Sequence, residues 1–522
     1  MTSQLAESAA PQGKASGYAW YALSVLVLVY MFNFIDRQIL SILANDVKRD
    51  LGVDDAFLGF LYGTAFGVFY ALFGVPLGRL ADSWHRIRLM TVGLVLWSTM
   101  TSLSGLSRNG AQLAAARVGV GIGEATASPA AYSLLSDWFP KRQRATALAV
   151  YSSGLYLGGG LSLGIGALVV GKWNKVFPHG GPLGLVGWQA AFMAVGIPGL
   201  LLALLVASLK EPIRGNSDGI VTPTSSTPFT DFFGELVTII PPFTLIGASR
   251  RGPAALGLNF AFAGLCVALA GILIKLTGNL PQWAAFGVGV YAVFSWVSAL
   301  RVRDPVTFRL IWGTPAFVQV ALGYGLIAFI AYAVSFWAAP YAERFLGVSK
   351  VTAGLFVGGG GAAGGLIGVV TGGSIADALH KKNPAGRVWV VLFGATAPAI
   401  PMIWAYTTTS PALFFFLNFV AGIFASAALG AAAATTQDLV LPRMRGTATA
   451  TFFLGNALIG LALGPSLAGM VSTATGNLRI GILSLLFVAP ISITLLLFAW
   501  RSVPRAETTL LDRARAAGEI IA

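Results

Sequence analysis

Apolar residues run along this chain in stretches of about 17 to 25 positions, the length a helix needs to cross a hydrocarbon core, and polar residues collect between them. The first part holds six such stretches, near 20–45, 57–80, 88–106, 112–136, 144–170 and 188–208. A Pro/Ser/Thr-rich linker from Glu211 to Thr230 follows, and after it TDFFGELVTII has the one-sided apolar pattern of a helix lying on a membrane surface. Two more spans are predicted near 253–275 and 283–300, then six near 314–341, 351–375, 387–406, 411–436, 444–471 and 479–500. The predicted fold is an all-α polytopic membrane protein of about 14 spans, ordered six, two, six. Its expected divisions are an N-terminal bundle over 1–210, a linker, amphipathic segment and inserted hairpin over 211–310, a C-terminal bundle over 311–501 and a cytoplasmic tail over 502–522.

The first half recurs in the second. Leu51-Gly52-Val53 returns 295 positions on as Leu346-Gly347-Val348, and the same shift lays Gly59 on Gly354, Gly78 on Gly373, Ala81-Asp82 on Ala376-Asp377 and His85 on His380. A shift of 301 lays Asp137 on Asp438, Arg144 on Arg445 and Thr146-Ala147 on Thr447-Ala448. Two six-helix halves repeated in one orientation resemble the architecture of the major facilitator superfamily, whose bundles rock about a site near the membrane midplane. The middle pair matches neither half and reads as an insertion.

Composition agrees with this plan. Only 10% of the 522 residues are charged and 56% are hydrophobic, with a mean hydropathy of +0.76, whereas soluble domains carry about 25% charged residues. The net charge of +14 comes from the flanks of the spans and not from a basic domain, so no nucleic-acid partner is expected. Most of the 34 Lys and Arg, among them Arg79, Arg86, Arg88, Lys381 and Lys382, fall on one side, which the positive-inside rule makes cytoplasmic. Both termini then lie in the cytoplasm, and the chain is expected in the inner (plasma) membrane. The single Cys266 forms no internal disulfide and the three histidines are too scattered for a local metal motif, so neither metal nor cofactor is expected. The first span is too long for a signal-peptide core and is kept as a membrane helix.

Four charges lie inside spans. FNFIDRQIL sets Asp36 beside Arg37 in the first, and ARVGVGIGEA sets Arg117 and Glu124 seven residues apart in the fourth, two turns along nearly one face. Each would cost about 2.5–3.5 kcal/mol facing lipid at a helix centre, so they must face one another or water. One reading makes them a neutral staple between two spans. The other gives proton coupling to Asp36 and Glu124 and substrate binding to Arg37 and Arg117, with Arg37 neutralising its neighbour Asp36. Facing spans of the second half offer Phe317, Tyr324, Tyr332, Phe336, Phe452 and Phe453 but no mid-membrane charge. A cavity polar on one wall and apolar on the other is therefore expected, which suits an amphiphile.

GRLADSWHRIR from Gly78 and GSIADALHKK from Gly373 resemble the superfamily's loop signature G-x-L-A-D-R-x-G-R-R, with Ser83 for its Arg and His85 for its Gly. The resemblance implies a conformational latch: Gly78 admits a neighbouring helix, Asp82 and its copy Asp377 meet helix N-termini, and Arg86 pairs with an acid. Asp137 in DWFPKRQR is the partner expected for Arg86, with Arg144 in the same loop. Asn33 to Arg37, the following Leu-Gly-Val, the G-x-L-A-D loop, Arg117 to Ala125 and Ser136 to Pro140 occur in an order that resembles the Spinster family, over roughly the first 210 residues. That resemblance implies a secondary transporter of a lysophospholipid or sphingosine-phosphate-like lipid. It also implies that Asp36, Arg37, Arg117 and Glu124 are a buried polar cluster serving proton coupling and head-group binding.

The expected function is alternating-access transport of an amphipathic lipid coupled to protons, with carriage of small organic anions or drugs as the alternative. The bilayer, such a substrate and protons are the expected partners, and the chain is expected to act as a monomer. No enzyme is expected, because the spans hold no His, Cys or Ser arrangement with a base. ATP-driven transport by this chain is excluded, because it contains no G-x-x-x-x-G-K-[ST] loop. The glycines at 119 and 121 sit within a span with no strand before them and read as helix packing.

Overall fold

The structure, a computed structural model, describes residues 15–215 and 226–519, so the middle of the expected linker and both chain ends lie outside the described residues. The N-terminal half runs α1 (Gly17–Leu51), α2 (Asp55–Tyr62), α3 (Thr64–Ser83), α4 (Arg86–Ser104), α5 (Gly110–Glu124), α6 (Ala127–Trp138), α7 (Lys141–Val176) and α8 (Gly187–Ala207). The middle segment holds α9 (Pro228–Ile239), α10 (Phe243–Ser249), α11 (Pro253–Thr277), α12 (Leu280–Arg303) and α13 (Pro305–Ile311). The C-terminal half runs α14 (Pro315–Leu346), α15 (Lys350–His380), α16 (Gly386–Thr396), α17 (Ala399–Thr407), α18 (Pro411–Asp438), α19 (Arg445–Gly455), α20 (Gly464–Thr475), α21 (Leu478–Ser484), α22 (Ala489–Thr508) and α23 (Leu510–Ala516). Among the described residues, 13 helices, whole or broken, are long and apolar enough to cross a membrane.

The span expected at 112–136 is not one of them. It breaks at Ala125 and Thr126 into α5 and α6, and the Thr126 hydroxyl donates back to the Gly123 carbonyl at 2.8 Å, a bond that competes with the helical ladder. The segment expected to lie flat on the surface is also bent. α9 and α10 meet at 96°, α9 packs along α3 and α12, and Glu235 pairs with Arg303. Residues 502–519 are not a separate tail either. α22 continues through Thr508, Ala514 of α23 is buried, and Arg513 donates to the Thr314 hydroxyl at 2.6 Å, which docks the segment under the C-terminal half.

The repeated Leu-Gly-Val has a structural cause. Gly52 and Gly347 cap α1 and α14 at φ of 64° and 63°, a left-handed turn that glycine adopts without a side-chain clash. Each copy is a stop signal at the same end of its half.

Glycine also brings the halves into contact. A Cβ on Gly63 would lie 2.6 Å from the Leu461 carbonyl oxygen, and one on Gly59 would strike that of Pro465, so α2 rests directly on α20 and on the π-helical turn Asn456–Leu463 before it. Gly160 of α7 and Gly358 of α15 touch in the same way, backbone against backbone. The inserted α12 covers the opposite seam: a Cβ on its Gly289 would sit 3.1 Å from Val68 of α3 and 3.2 Å from Leu458 of the π turn. Thr64 of α3 donates to Gln282 of α12 at 2.7 Å within this seam. α11 lies outside α12, with 6% of its apolar window buried.

Gly358→Ala presses a methyl group into the Gly160 carbonyl, whereas a Cβ on Gly373 meets nothing within 4 Å. Gly358→Ala is expected to cost about 1–3 kcal/mol of stability, as other small-to-large changes in packed sites do. Gly373→Ala is expected to leave stability unchanged or slightly raised. Melting temperatures of the two variants in detergent check this.

Candidate substrate and coupling site

α1 and α5 bring the four embedded charges together in the N-terminal half. Asp36 and Arg37 are 1% and 5% exposed, and Arg117 and Glu124 are 0% exposed. The Arg37 guanidinium donates from Nη2 to Glu124 Oε2 at 2.9 Å, while Arg117 Nη1 donates to the backbone carbonyl of Asp36 at 3.1 Å. Arg37 therefore does not pair with Asp36, contrary to the expectation from sequence, because adjacent helical side chains point to different faces. Both carboxylate oxygens of Asp36 are buried without a hydrogen-bond partner among the described residues, and the Thr101 hydroxyl faces them without closing a bond. The ring of Phe66 lies 4.4 Å from the Arg37 guanidinium and 5.4 Å from that of Arg117, so one aromatic ring serves both cations. Phe66 carried no mark in the sequence beyond being an aromatic residue in the second span.

The glycines of ARVGVGIGEA make this proximity possible. A Cβ on Gly121 would lie 2.6 Å from the Phe66 carbonyl oxygen, and one on Gly123 would lie 2.8 Å from the Trp97 amide nitrogen. α5 is thus pressed against α3 and α4, and Glu124 ends it at the break.

Between the halves lies a cavity of about 320 Å³, and Arg37 is the one charged side chain among its described lining residues. Asp36, Arg117 and Glu124 sit behind Arg37, outside the wall. Gln38 and Tyr62 extend the polar side, with Gln38 donating to Ser335 at 2.7 Å and accepting from the Tyr62 hydroxyl. Of the aromatic residues expected opposite, Tyr324 and Tyr332 line the cavity. Phe336 does not: its ring is buried and stacks on Tyr62 at 4.4 Å. Phe317 and Phe452 are also buried in packing, and Phe453 is turned outward, 46% exposed. The apolar wall comes from α14, α15, α17 and α18, through residues such as Ile327, Ile330, Gly360, Met402 and Phe415, with Asn418 and Ser426 of α18 as uncharged polar groups within it.

The halves close on the side of the Leu-Gly-Val turns. Asp55 binds Arg344 of the other half at 2.8 Å and Lys48 at 2.7 Å, and Lys350 reaches across to Asp46 at 3.0 Å. Near the opposite, basic ends, the described ion pairs of the two bundles stay within one half. Buried Arg86 pairs with Asp137 as expected, and also with Glu211 at 2.7 Å, an acid not singled out beforehand. Arg387 repeats this, pairing with Asp438 and with Asp377 at 2.9 Å. Arg144 donates to the Ser136 carbonyl at 2.7 Å. Two latch residues behave differently from expectation. Asp82 is exposed and joins no described ion pair, with Arg214 and Arg79 as its charged neighbours. A Cβ on Gly78 would have Pro129 no nearer than 4.0 Å, so no helix approaches closely there.

The sequence profile described as the Major Facilitator Superfamily matches residues 26–385 and, in a second placement, 320–519. The chain belongs to the major facilitator superfamily. Within this superfamily it is similar to an "MFS-type efflux pump" of Mycolicibacterium smegmatis, 26% identical over 504 residues and 95% of each chain. It is 30% identical to "Protein spinster" of Drosophila melanogaster over 200 residues, 38% of this chain and 31% of that one. It is 31% identical to the "Probable galactarate/D-glucarate transporter GudP" of Bacillus subtilis over 212 residues, 39% of this chain and 44% of that one. A crystal structure of a bacterial homolog to the human lysosomal transporter Spinster, inward-facing and unoccupied, matches with a TM-score of 0.68 at 25% identity, covering 96% of this chain and 99% of that one. The protein is thus a multi-pass transporter of the superfamily, similar to Spinster proteins in part of its sequence and in its fold.

Arg37→Ala leaves Glu124 buried without its cation. This is expected to cost about 3–5 kcal/mol, and the double substitution Arg37→Leu with Glu124→Leu should recover most of it. Thermal melting of the three proteins in detergent is the measurement.

Proposed function

We propose that this transporter moves an amphipathic lipid with an anionic head group, of lysophospholipid or sphingosine-phosphate type, across the inner membrane by proton-coupled alternating access. The observation that carries the reading is Arg37, the one charged side chain among the described lining residues, in a cavity whose remaining walls are mostly glycine, aliphatic and aromatic surface with Ser335, Asn418, Ser426 and Ser492 as uncharged polar groups. A head group binds at Arg37 and the tail lies against α15, α17 and α18. Arg37 also holds Glu124, so the substrate anion and the Glu124 carboxylate share one guanidinium. Binding of the anion and protonation of Glu124 are linked through that sharing. Asp36, close behind with no hydrogen-bond partner among the described residues, is the second proton carrier.

With the basic ends in the cytoplasm, as the placement of Lys and Arg favours, Asp55–Arg344 and Lys350–Asp46 form the outer gate, and the structure represents the inward-facing state. Opening outward requires those pairs to part. The sugar-acid relative supports the alternative of a small organic anion at Arg37. The apolar wall favours the lipid.

The test is uptake into proteoliposomes of labelled lysophospholipids and of galactarate, with and without a proton gradient. Lysophospholipid uptake stimulated by the gradient is expected, and Asp36→Asn should remove the stimulation while leaving expression intact. Gradient-driven uptake of galactarate alone would establish the alternative, and undiminished stimulation in Asp36→Asn would remove that residue from coupling.

A further inference from the structure

The central cavity and a groove on the outer side of the C-terminal half lie back to back between α15 and α18. α15 and α18 are packed tightly toward their basic ends: a Cβ on Gly364 would lie 3.0 Å from the Phe419 carbonyl oxygen, and Cβ atoms on Gly368 and Gly372 would strike the backbone of Ile423 and Ala427. One turn before Gly364 the close packing stops. At Gly360 the nearest atom to a Cβ is the Phe419 Cβ at 3.7 Å, and at Gly359 and Gly361 nothing lies within 4 Å. Around Gly360 the two backbones stand farther apart, with room for a methyl group between them. Phe356 and Phe415, stacked at 5.1 Å, and Phe419 edge the gap.

These residues border two spaces at once. Phe356, Gly360, Phe415 and Phe419 line the central cavity and also a groove on the outer surface between α15 and α18. On that outer face Phe356 and Phe416 are 59% and 60% exposed. Gly360 stands ten residues into the 31 of α15, about 15 Å from its start, within the hydrocarbon layer that such a helix crosses. Glycine weakens a helix relative to alanine, and no close contact demands it at 359 to 361, in contrast to 364, 368 and 372. At Gly360 the missing side chain leaves a thin point between the cavity and the outer groove.

We infer that this gap is a side window for a hydrocarbon tail. With the head group at Arg37, the acyl chain passes between α15 and α18, and its far end lies in the bilayer. The inference rests on the amphiphile reading above and adds to it that the cavity need not enclose the whole tail, so that substrates of differing chain length fit one site. The window is apolar on every edge, which suits an alkyl chain and rejects a charged group.

Transport of long-chain and short-chain lysophospholipids by Gly360→Leu proteoliposomes tests this. Leucine at 360 fills the gap, and long-chain transport is expected to fall about tenfold relative to short-chain transport, the loss of roughly two buried methylene contacts. Gly360→Ala, whose methyl group meets Phe419 only at ordinary contact distance, is expected to lower that ratio less than Gly360→Leu. Unchanged long-chain transport, or an equal fall for both lengths, overturns the window. A second measurement needs no transport: a bilayer phospholipid with a photoactivatable group at the end of its acyl chain is irradiated with the unsubstituted protein, and labelled residues are mapped. Label at Ala399 and Met402, inside the cavity, is expected; its absence overturns the window even if lysophospholipid transport is found. Label there without any lysophospholipid transport keeps the window and removes the proposed substrate.

Discussion

An ionised side chain in hydrocarbon must find its opposite, and the N-terminal half is built around that requirement. Arg37 and Glu124 come from helices far apart in sequence, and their 2.9 Å contact holds α1 against α5. The glycines of α5 are needed so that α3 and α4 lie close enough to seal the pair from lipid. Phe66, with its ring against both guanidinium groups, completes the enclosure. The pair is nonetheless incompletely satisfied: Glu124 Oε1, Arg37 Nε and two nitrogens of Arg117 are buried without hydrogen-bond partners among the described residues. Buried polar networks with open valences are costly to keep, and they are a natural place for a transporter to exchange one partner for another.

The second half contributes the reverse chemistry. Its wall of the cavity carries no charge among the described lining residues and is largely glycine, aliphatic and aromatic surface, so the two bundles differ in chemistry although they repeat in architecture. The repeat persists most clearly at the basic ends, where Arg86–Asp137 and Arg387–Asp438 are each separated by 51 positions and are related by the shift of 301. Each bundle carries its own internal brace at that end, which lets it move as a rigid body. The contacts that must break during rocking are therefore concentrated on the opposite side, at Asp55, Arg344 and Lys350.

Most of the spans could be read from the sequence because hydrocarbon thickness sets their length, and the embedded charges could be read because they are so costly there. Other features were harder to see. Average apolarity over 112–136 does not reveal that Thr126 turns its hydroxyl onto Gly123 and splits the span. Adjacency in sequence suggested Asp36 with Arg37, while helical geometry gave Arg37 to Glu124. Arg387 was recoverable, since the shift that matched Asp137 with Asp438 also carries Arg86 onto it. The apolar wall was hidden because glycine and alanine have no distinctive chemistry, and the aromatic residues that attracted attention, Phe317, Phe336 and Phe452, are packing.

The inserted hairpin adds a mechanical asymmetry. The Thr64 hydroxyl on α3 lies 2.7 Å from both the Gln282 amide oxygen of the hairpin and the Ala462 carbonyl oxygen of the C-terminal half, and Gly289 is wedged between Val68 and Leu458. A two-bundle rocker has two flanks that shear past each other, and here one of them carries a splint. Any swing of the bundles must either slide Val68 and Leu458 across the bare backbone at Gly289 or carry the hairpin along with one bundle, a constraint that the flank of α7 and α15, joined by its own glycines, does not share.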